Sequence, residues 1–137
     1  MVAPMRRLLG WVVVLAAALA AVTYLALEGG EVGVLHTREG TAWRETHVWY
    51  VEGEGNSLWL EAATPERPWL LDLRRDPTAE IERDGDTIRG RAIAIDDPAE
   101  SERVRERMRE KYGWRDRWVA LLQDTSRSVA VRFDPSR

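Results

Sequence analysis

The stretch THVWYVEGEGNSLWLEAA at residues 46–63 determines the predicted fold. Apolar and polar residues alternate in THVWYV (46–51) and again in SLWLEAA (57–63), which is the period-two pattern of half-buried strands. The glycine-rich segment EGEGN between them is typical of a tight connection. The two strands are therefore predicted to form an antiparallel hairpin.

Strand patterns recur on both sides of this hairpin. VGVLHT (32–37) precedes it, and SVAVRFD (128–134) is the last strand of the chain. Residues 78–96 predict a second hairpin with Asp84-Gly85 at its turn. About six antiparallel strands of this length favour a small closed or half-closed barrel, because closure removes unpaired strand edges. The predicted fold class is mainly β, of the α+β type, with short helices inserted between strands.

The first of three inserted helices is predicted in TPERPWLLDLRRDP (64–77). Thr64 is the expected cap, Pro65 the first helical residue, and Asp76-Pro77 the stop signal. The expected buried stripe of this helix consists of Trp69, Leu70 and Leu73.

Two more helices are predicted before the last strand. One extends from Asp97 to Gly113, where Glu102 and Arg105 have the spacing of a helical ion pair. The other is WRDRWVALLQ (114–123). The apolar stripe of the longer helix is narrow and consists of Val104, Met108 and Tyr112.

An uncharged apolar segment at residues 8–27 precedes the domain. As a helix of 20 residues it spans about 30 Å, which is the thickness of a bilayer core. We therefore predict a single-pass membrane anchor with a short hinge at residues 1–30 and a barrel domain at residues 31–137. The alternative is a cleaved signal peptide, although the segment is long for one and has no small-x-small site at its end.

Charge gives information on orientation and on partners. Arg6 and Arg7 precede the apolar segment and Glu28 and Glu31 follow it, so the positive-inside tendency favours a domain outside the cytoplasm. The chain has 20 basic and 23 acidic residues, a net charge of −3. This balance does not predict the basic face that nucleic-acid binding needs.

Side chains that usually carry catalysis are scarce. The chain has no cysteine, no G-x-S-x-G motif and no phosphate-binding glycine loop. A turn near Thr41 and Ala42 would place His36 and His47 opposite each other with Glu45 nearby. No third ligand follows at binding spacing, so we predict no metal site. We also predict no catalytic nucleophile.

Tryptophan and arginine are abundant, with seven tryptophans in the chain and Lys111 as its single lysine. Each tryptophan taken alone is explained by core packing. Together with arginines at the opening of a groove, however, indole faces would suit a planar ring that carries a phosphate, because guanidinium groups bind phosphate through two hydrogen bonds.

Three stretches in the same order resemble the deazaflavin-dependent nitroreductase and quinone-reductase family, a group within the split β-barrel superfamily that includes pyridoxamine phosphate oxidase. These stretches are TREGTAWRETHVWYVEGEGNSLWLEA, RPWLLDLRRDP and KYGWRDRWVALLQDTSRSVAVRFDP. The resemblance covers residues 31–135. In its second stretch the family has a tryptophan, an asparagine-leucine pair and a proline, where this chain has Trp69, Asp72, Leu73 and Pro77.

The resemblance implies a split β-barrel that binds a deazaflavin coenzyme of the 8-hydroxy-5-deazaflavin type, with FMN as the alternative. Hydride would pass from the cofactor to a quinone, a nitro compound or a similar lipophilic acceptor, so that no side-chain nucleophile is required. Tyr112 would border the substrate. The positions implied for cofactor binding are Arg38, Arg44, Trp49, Arg67, Trp69, Asp72 and Arg75.

The sequence thus predicts a membrane-anchored oxidoreductase whose bilayer contact is residues 8–27 and whose oligomeric state, a homodimer included, stays open. The resemblance favours a cytoplasmic domain, whereas the flanking charges favour the opposite side. The alternative function is a non-catalytic split barrel that binds a hydrophobic ligand or a protein partner at the membrane. Glu39 and Asp72 favour that alternative, because they add negative charge where the family commonly binds an anionic cofactor.

Overall fold

The computed structural model describes residues 2–137, with side chains from Pro4 onward. Its helices and strands follow one another in the order α1 (Val2–Glu28), β1 (Val32–Glu39), β2 (Ala42–Glu52), a 3-10 turn (Glu54–Asn56), β3 (Leu58–Ala62), α2 (Pro68–Arg75), β4 (Thr78–Arg83), β5 (Asp86–Ile95), α3 (Pro98–Tyr112), α4 (Trp114–Leu122) and β6 (Val129–Pro135).

The six strands close into an antiparallel barrel in the order β1-β2-β3-β6-β5-β4, and β1 also pairs with β4. Both predicted hairpins form. Val51 lies opposite Trp59 in the first hairpin, and Ile81 lies opposite Ile88 in the second. The predicted split-barrel class with inserted helices is therefore confirmed.

Successive side chains of each strand point to opposite faces of the barrel wall, and this produces one apolar layer inside the barrel and another outside it. Inward-facing residues such as Leu35, Leu60 and Phe133 are fully buried inside the barrel. On the outer side, Val51 of β2 and Ala130 of β6 are buried under α3. The predicted stripe of α3 is confirmed, since it supplies the residues Val104, Met108 and Tyr112 of this outer layer.

Helix α2 begins at Pro68, so the prediction of a start at Pro65 after a Thr64 cap is wrong. The Thr64 carbonyl instead accepts from the Arg67 N–H at 3.3 Å in a turn. Arg67 has extended backbone angles (φ −55°, ψ 128°), as expected for a residue before proline, and this keeps it out of the helix. The predicted stripe Trp69, Leu70 and Leu73 is buried, and α2 packs against β1 and β5.

Helix α1 is long and apolar enough to cross a membrane over Pro4–Glu28. Its C-terminal end contacts the domain through polar groups. The Trp118 indole N–H donates to the Thr23 hydroxyl at 3.0 Å, and the Trp49 indole N–H donates to the Leu27 carbonyl at 3.1 Å. Ala26 is fully buried there. The last turn of α1 is therefore packed against β2 and α4.

The segment between α1 and β1, expected to be a hinge, is packed as well. The Gly29 carbonyl accepts from the Arg115 guanidinium at 3.1 Å, and the Tyr112 hydroxyl donates to the Glu31 carbonyl at 2.6 Å. A Cβ atom at Gly30 would lie 3.1 Å from the Tyr112 ring. Close packing around these glycines holds α1 and the barrel together.

Gly90 of β5 is the glycine whose replacement most directly tests barrel closure. A Cβ atom there would collide with the Asp134 carbonyl on β6 and lie 2.8 Å from the Phe133 ring. We expect Gly90→Ala to lower the free energy of unfolding by about 1–3 kcal/mol, as overpacking of cores does. The measurement is denaturant unfolding of the full chain in detergent. Arg91→Ala, at the neighbouring exposed position, is the control and should change the free energy of unfolding by about 0.5 kcal/mol or less. Equal stability of the two variants would contradict the close approach of β5 and β6.

Candidate functional site

A cavity of about 490 Å³ lies between the barrel strands and the helices that pack on them, and this volume is within the range of small-molecule sites. Its walls come from residues 44–49 of β2, the segment from β3 to the start of α2, helix α4 and the end of α1. Met108 of α3 also lines it. The cavity is thus located where the apolar N-terminal helix meets the barrel.

Two indoles form part of the cavity wall. Trp49 of β2 stacks on Tyr112, with ring centroids 4.3 Å apart and planes 9° from parallel, and it also lines the cavity. Trp69 of α2 is nearly buried in the barrel core and lines the same cavity. Packing holds both indoles, and the Trp49 N–H also donates to the Leu27 carbonyl, so the cavity has well-fixed aromatic surfaces.

Two arginines line the cavity, and they differ in how much of their charge is already neutralised. Arg44 donates to Asp72 at 2.8 Å and pairs with Glu39 at 2.6 Å. Arg67 donates to the Gln123 side-chain carbonyl at 3.3 Å. Within residues 4–137 no carboxylate lies in salt-bridge distance of Arg67. Arg67 is therefore the cavity arginine that is best placed to bind an anion.

Asp72 is fully buried, and both of its carboxylate oxygens accept hydrogen bonds. One oxygen accepts from the Thr37 hydroxyl at 3.0 Å and from Arg44, and the other accepts from Arg75 at 3.3 Å. These bonds join β1, β2 and α2. Asp72 and Arg75 do not belong to the cavity lining, so Asp72 affects the cavity through Arg44.

The other two implied residues also lie outside the cavity lining. The Arg38 guanidinium is 4.0 Å from the centroid of the Trp43 ring in a cation–π contact. Tyr112 is buried beneath Trp49, and burial raises the pKa of its hydroxyl far above the ordinary value. Of the eight implied residues, the structure brings together Arg44, Trp49, Arg67 and Trp69 at one cavity.

Two carboxylates on the cavity wall were not singled out from the sequence. Burial raises the pKa of both the Glu61 carboxyl on β3 and the Asp116 carboxyl on α4. Glu61 also accepts from Arg105 at 3.2 Å, so the predicted pairing of Arg105 with Glu102 is wrong. Arg105 points from α3 toward the sheet. Alternation in SLWLEAA places Glu61 on the outer face of β3, but only the fold shows that helices cover this face.

The histidines do not form the pair that a turn near Thr41 would allow. The β1–β2 register places His36 opposite Glu45, and its ring bonds Glu82 at 3.0 Å. His47 lies opposite Val34 and bonds Glu28 at 3.0 Å. Among the described residues, no three histidine or acidic side chains form a cluster that could hold a metal ion.

The ionisable lining of the cavity contains more carboxylates than cations. Two guanidinium groups and one imidazole face four carboxylates. Arg44 is already paired with Asp72, and Glu61 is already paired with Arg105. Such a lining suits a neutral planar ring with a single anionic group near Arg67, and it disfavours a polyanion. The ionisable lining residues are Glu28, Arg44, Glu45, His47, Glu61, Arg67 and Asp116.

The chain matches no protein-family model and no curated protein. Among solved structures, it is similar to a proposed pyridoxamine 5′-phosphate oxidase of Listeria innocua (TM-score 0.61, 21% identity, covering 82% of this chain and 89% of that one). It is also similar to the conserved hypothetical protein Rv2991 of Mycobacterium tuberculosis (TM-score 0.62, 22% identity, covering 86% of this chain and 80% of that one). A third similar structure is an F420 reductase (TM-score 0.55, 15% identity, covering 83% of this chain and 93% of that one). These identities show a shared split-barrel fold.

Replacement of Asp72 tests its role in joining β1, β2 and α2. We expect Asp72→Ala to lower the free energy of unfolding by about 3–5 kcal/mol, because it leaves Arg44 and Thr37 without their buried acceptor. Glu39→Ala removes the exposed partner of the same arginine and should cost about 1 kcal/mol or less. Denaturant unfolding of both variants measures the difference. A small effect of Asp72→Ala would show that the cluster does not fix α2.

Proposed function

We propose that this protein is a membrane-anchored oxidoreductase that uses a deazaflavin or a flavin to reduce a lipophilic acceptor such as a quinone or a nitro compound. The observation that carries the proposal is the cavity beside α1, with Trp49 and Trp69 on its wall and Arg67 available for an anion. The shared fold with an F420 reductase supports it.

The lining fits the ring of such a cofactor better than a long anionic tail. Trp49 and Trp69 offer rigid apolar surfaces to a planar heterocycle, and Arg67 is suited to one phosphate. Glu45 and Glu28 would repel additional negative charges. We therefore assign ring contact to the two indoles and phosphate contact to Arg67, with FMN as the form that best matches the charge of the lining.

A bound reduced ring would supply a hydride, and conversion of a quinone to a hydroquinone takes one hydride and one proton. Glu61 and Asp116 are suited to supply the proton. Burial raises the pKa of each carboxyl, so each holds its proton to a higher pH than an exposed acid does. Both line the cavity, and we assign them the role of proton donors to the acceptor.

The end of α1 supports a permanent anchor rather than a cleaved signal peptide. Leu27 and Glu28 form part of the cavity wall, and Thr23 accepts a hydrogen bond from Trp118. Cleavage after this helix would remove that wall and expose the buried indoles. A cavity that includes the end of a bilayer-spanning helix is also well placed for an acceptor dissolved in lipid.

A second candidate function is a non-catalytic barrel that binds a neutral hydrophobic ligand at the membrane. The excess of carboxylates and the pairing of Arg44 with Asp72 favour it. The two functions differ in one measurement. An oxidoreductase oxidises its reduced cofactor when a quinone is added, whereas a ligand-binding barrel binds the quinone without oxidising any cofactor.

Arg67→Ala tests the anion contact. We expect the affinity of the full-length protein for FMN or deazaflavin to fall about tenfold, because a charge-assisted hydrogen bond contributes about 1.5–3 kcal/mol. Quenching of tryptophan fluorescence in detergent measures the binding. The control is Arg74→Ala on α2, the helix that follows Arg67, since Arg74 pairs with Asp96 and does not line the cavity. The proposal would be contradicted if both variants lost the same amount of cofactor affinity, or if the unmodified protein bound no cofactor.

The pH dependence of FMN binding tests the two carboxylates. Burial raises the pKa of both carboxyls, so protonation as the pH falls removes negative charge from the cavity at a higher pH than for exposed acids, and affinity for an anionic group should rise. The double variant Glu61→Gln/Asp116→Asn should bind more tightly at neutral pH and lose most of this dependence. Glu110→Gln, at an exposed position of α3, should keep it. An unchanged pH profile in the double variant would exclude these carboxylates.

A further inference from the structure

Helix α4 has an apolar surface that the described part of the chain leaves uncovered. Within residues 31–137 six large hydrophobic side chains are exposed, and three of them belong to this nine-residue helix. They also have the largest exposed fractions of the six, with Trp114 at 49%, Leu122 at 57% and Leu121 at 81%. Exposed apolar side chains that cluster in this way mark an interaction surface.

The position of α4 indicates what covers this surface. Trp118 donates to Thr23 at 3.0 Å, and Arg115 donates to the Leu25 carbonyl at 3.4 Å, so α4 lies beside the last turn of α1. Thr23 is four residues before the end of the apolar segment at residues 8–27, a distance of about 6 Å along a helix. If α1 spans a bilayer, α4 is therefore at the boundary between the hydrocarbon core and the headgroups.

The composition of this region matches that boundary. Tyr24 is exposed on α1 at the same level, and tyrosine and tryptophan favour the headgroup region. Arg117 is exposed in the same helix as these apolar residues and can contact lipid phosphates. A short helix with exposed tryptophan, leucine and arginine beside a spanning helix has the properties of an interfacial helix.

We propose that α4 is a second membrane contact, which inserts Trp114, Leu121 and Leu122 into the leaflet where α1 ends. This inference rests on the anchoring of α1 in the proposed function. Val119, Ala120 and Gln123 near the end of α4 line the cavity. The interfacial helix thus forms one side of the cavity, which brings the cavity close to the membrane surface.

The absence of cysteine from the chain allows each position to be labelled separately. Leu121→Cys tests α4, Leu15→Cys tests the anchor, and Glu110→Cys on the exposed side of α3 is the control in water. Each full-length variant carries an environment-sensitive fluorophore and is reconstituted in vesicles of phosphatidylcholine and phosphatidylglycerol. Quenching lipids that bear the quencher near the headgroup or deep in the acyl chains then report the depth of each label.

We expect the label at residue 121 to be quenched at least about twofold more by the shallow than by the deep lipid, as for an interfacial helix buried about 5–10 Å. The label at 15 should respond to the deep lipid and the label at 110 to neither. A water-exposed label at 121 with a lipid-exposed label at 15 would overturn the α4 contact and leave the anchor intact. Exposure of both to water would overturn the anchor itself.

A second copy of the chain is the other occupant that this experiment distinguishes. In that case the label at 121 would be shielded from water and from both quenching lipids, and dilution with lipid would expose it to water. That result would overturn the membrane contact. Because Leu121 is mostly exposed, its replacement should leave the fold intact, and unfolding of each labelled variant checks this.

Discussion

The buried carboxylate of Asp72 is the interaction on which the arrangement of the cavity depends. A charge without access to water is stable only if donors surround it, and here Thr37, Arg44 and Arg75 supply them from β1, β2 and α2. The same bonds position α2 so that Trp69 reaches both the barrel core and the cavity wall. They also neutralise Arg44, so Arg67 is the cavity arginine to which we assign the proposed phosphate contact. One carboxylate thus stabilises the fold and sets the charge of the site.

Much of the fold could be predicted because its signals are local. Alternation along each strand, the Asp84-Gly85 turn and the stripe of α2 depend on neighbouring residues, and all three appear in the structure. The predicted start of α2 was wrong because Pro65 and Pro68 are both suitable first residues of a helix. The extended backbone that Pro68 imposes on Arg67 decides between them.

The site could be predicted only in part, because its polar groups depend on contacts between distant segments. Trp49, Trp69 and Arg67 were expected near a cofactor, and they do meet at one cavity. Glu61 has the sequence pattern of a solvent-exposed strand residue. It becomes a cavity residue with a raised pKa because helices cover that face of the sheet. The pairing of Arg105 with Glu61 likewise joins residues 44 positions apart, which helical spacing could not indicate.

The packed connection between α1 and the barrel has a consequence for how the protein would meet other molecules in a membrane. A pair of glycines such as Gly29-Gly30 commonly forms a flexible hinge. Here Arg115 bonds the Gly29 carbonyl and the Tyr112 ring packs against Gly30. A chain anchored through α1 would therefore move as one rigid body with a constant tilt, and its cavity would stay at one height above the bilayer midplane. Encounters would then be a search in two dimensions. Their frequency would follow the number of molecules per unit area of membrane rather than the concentration in water.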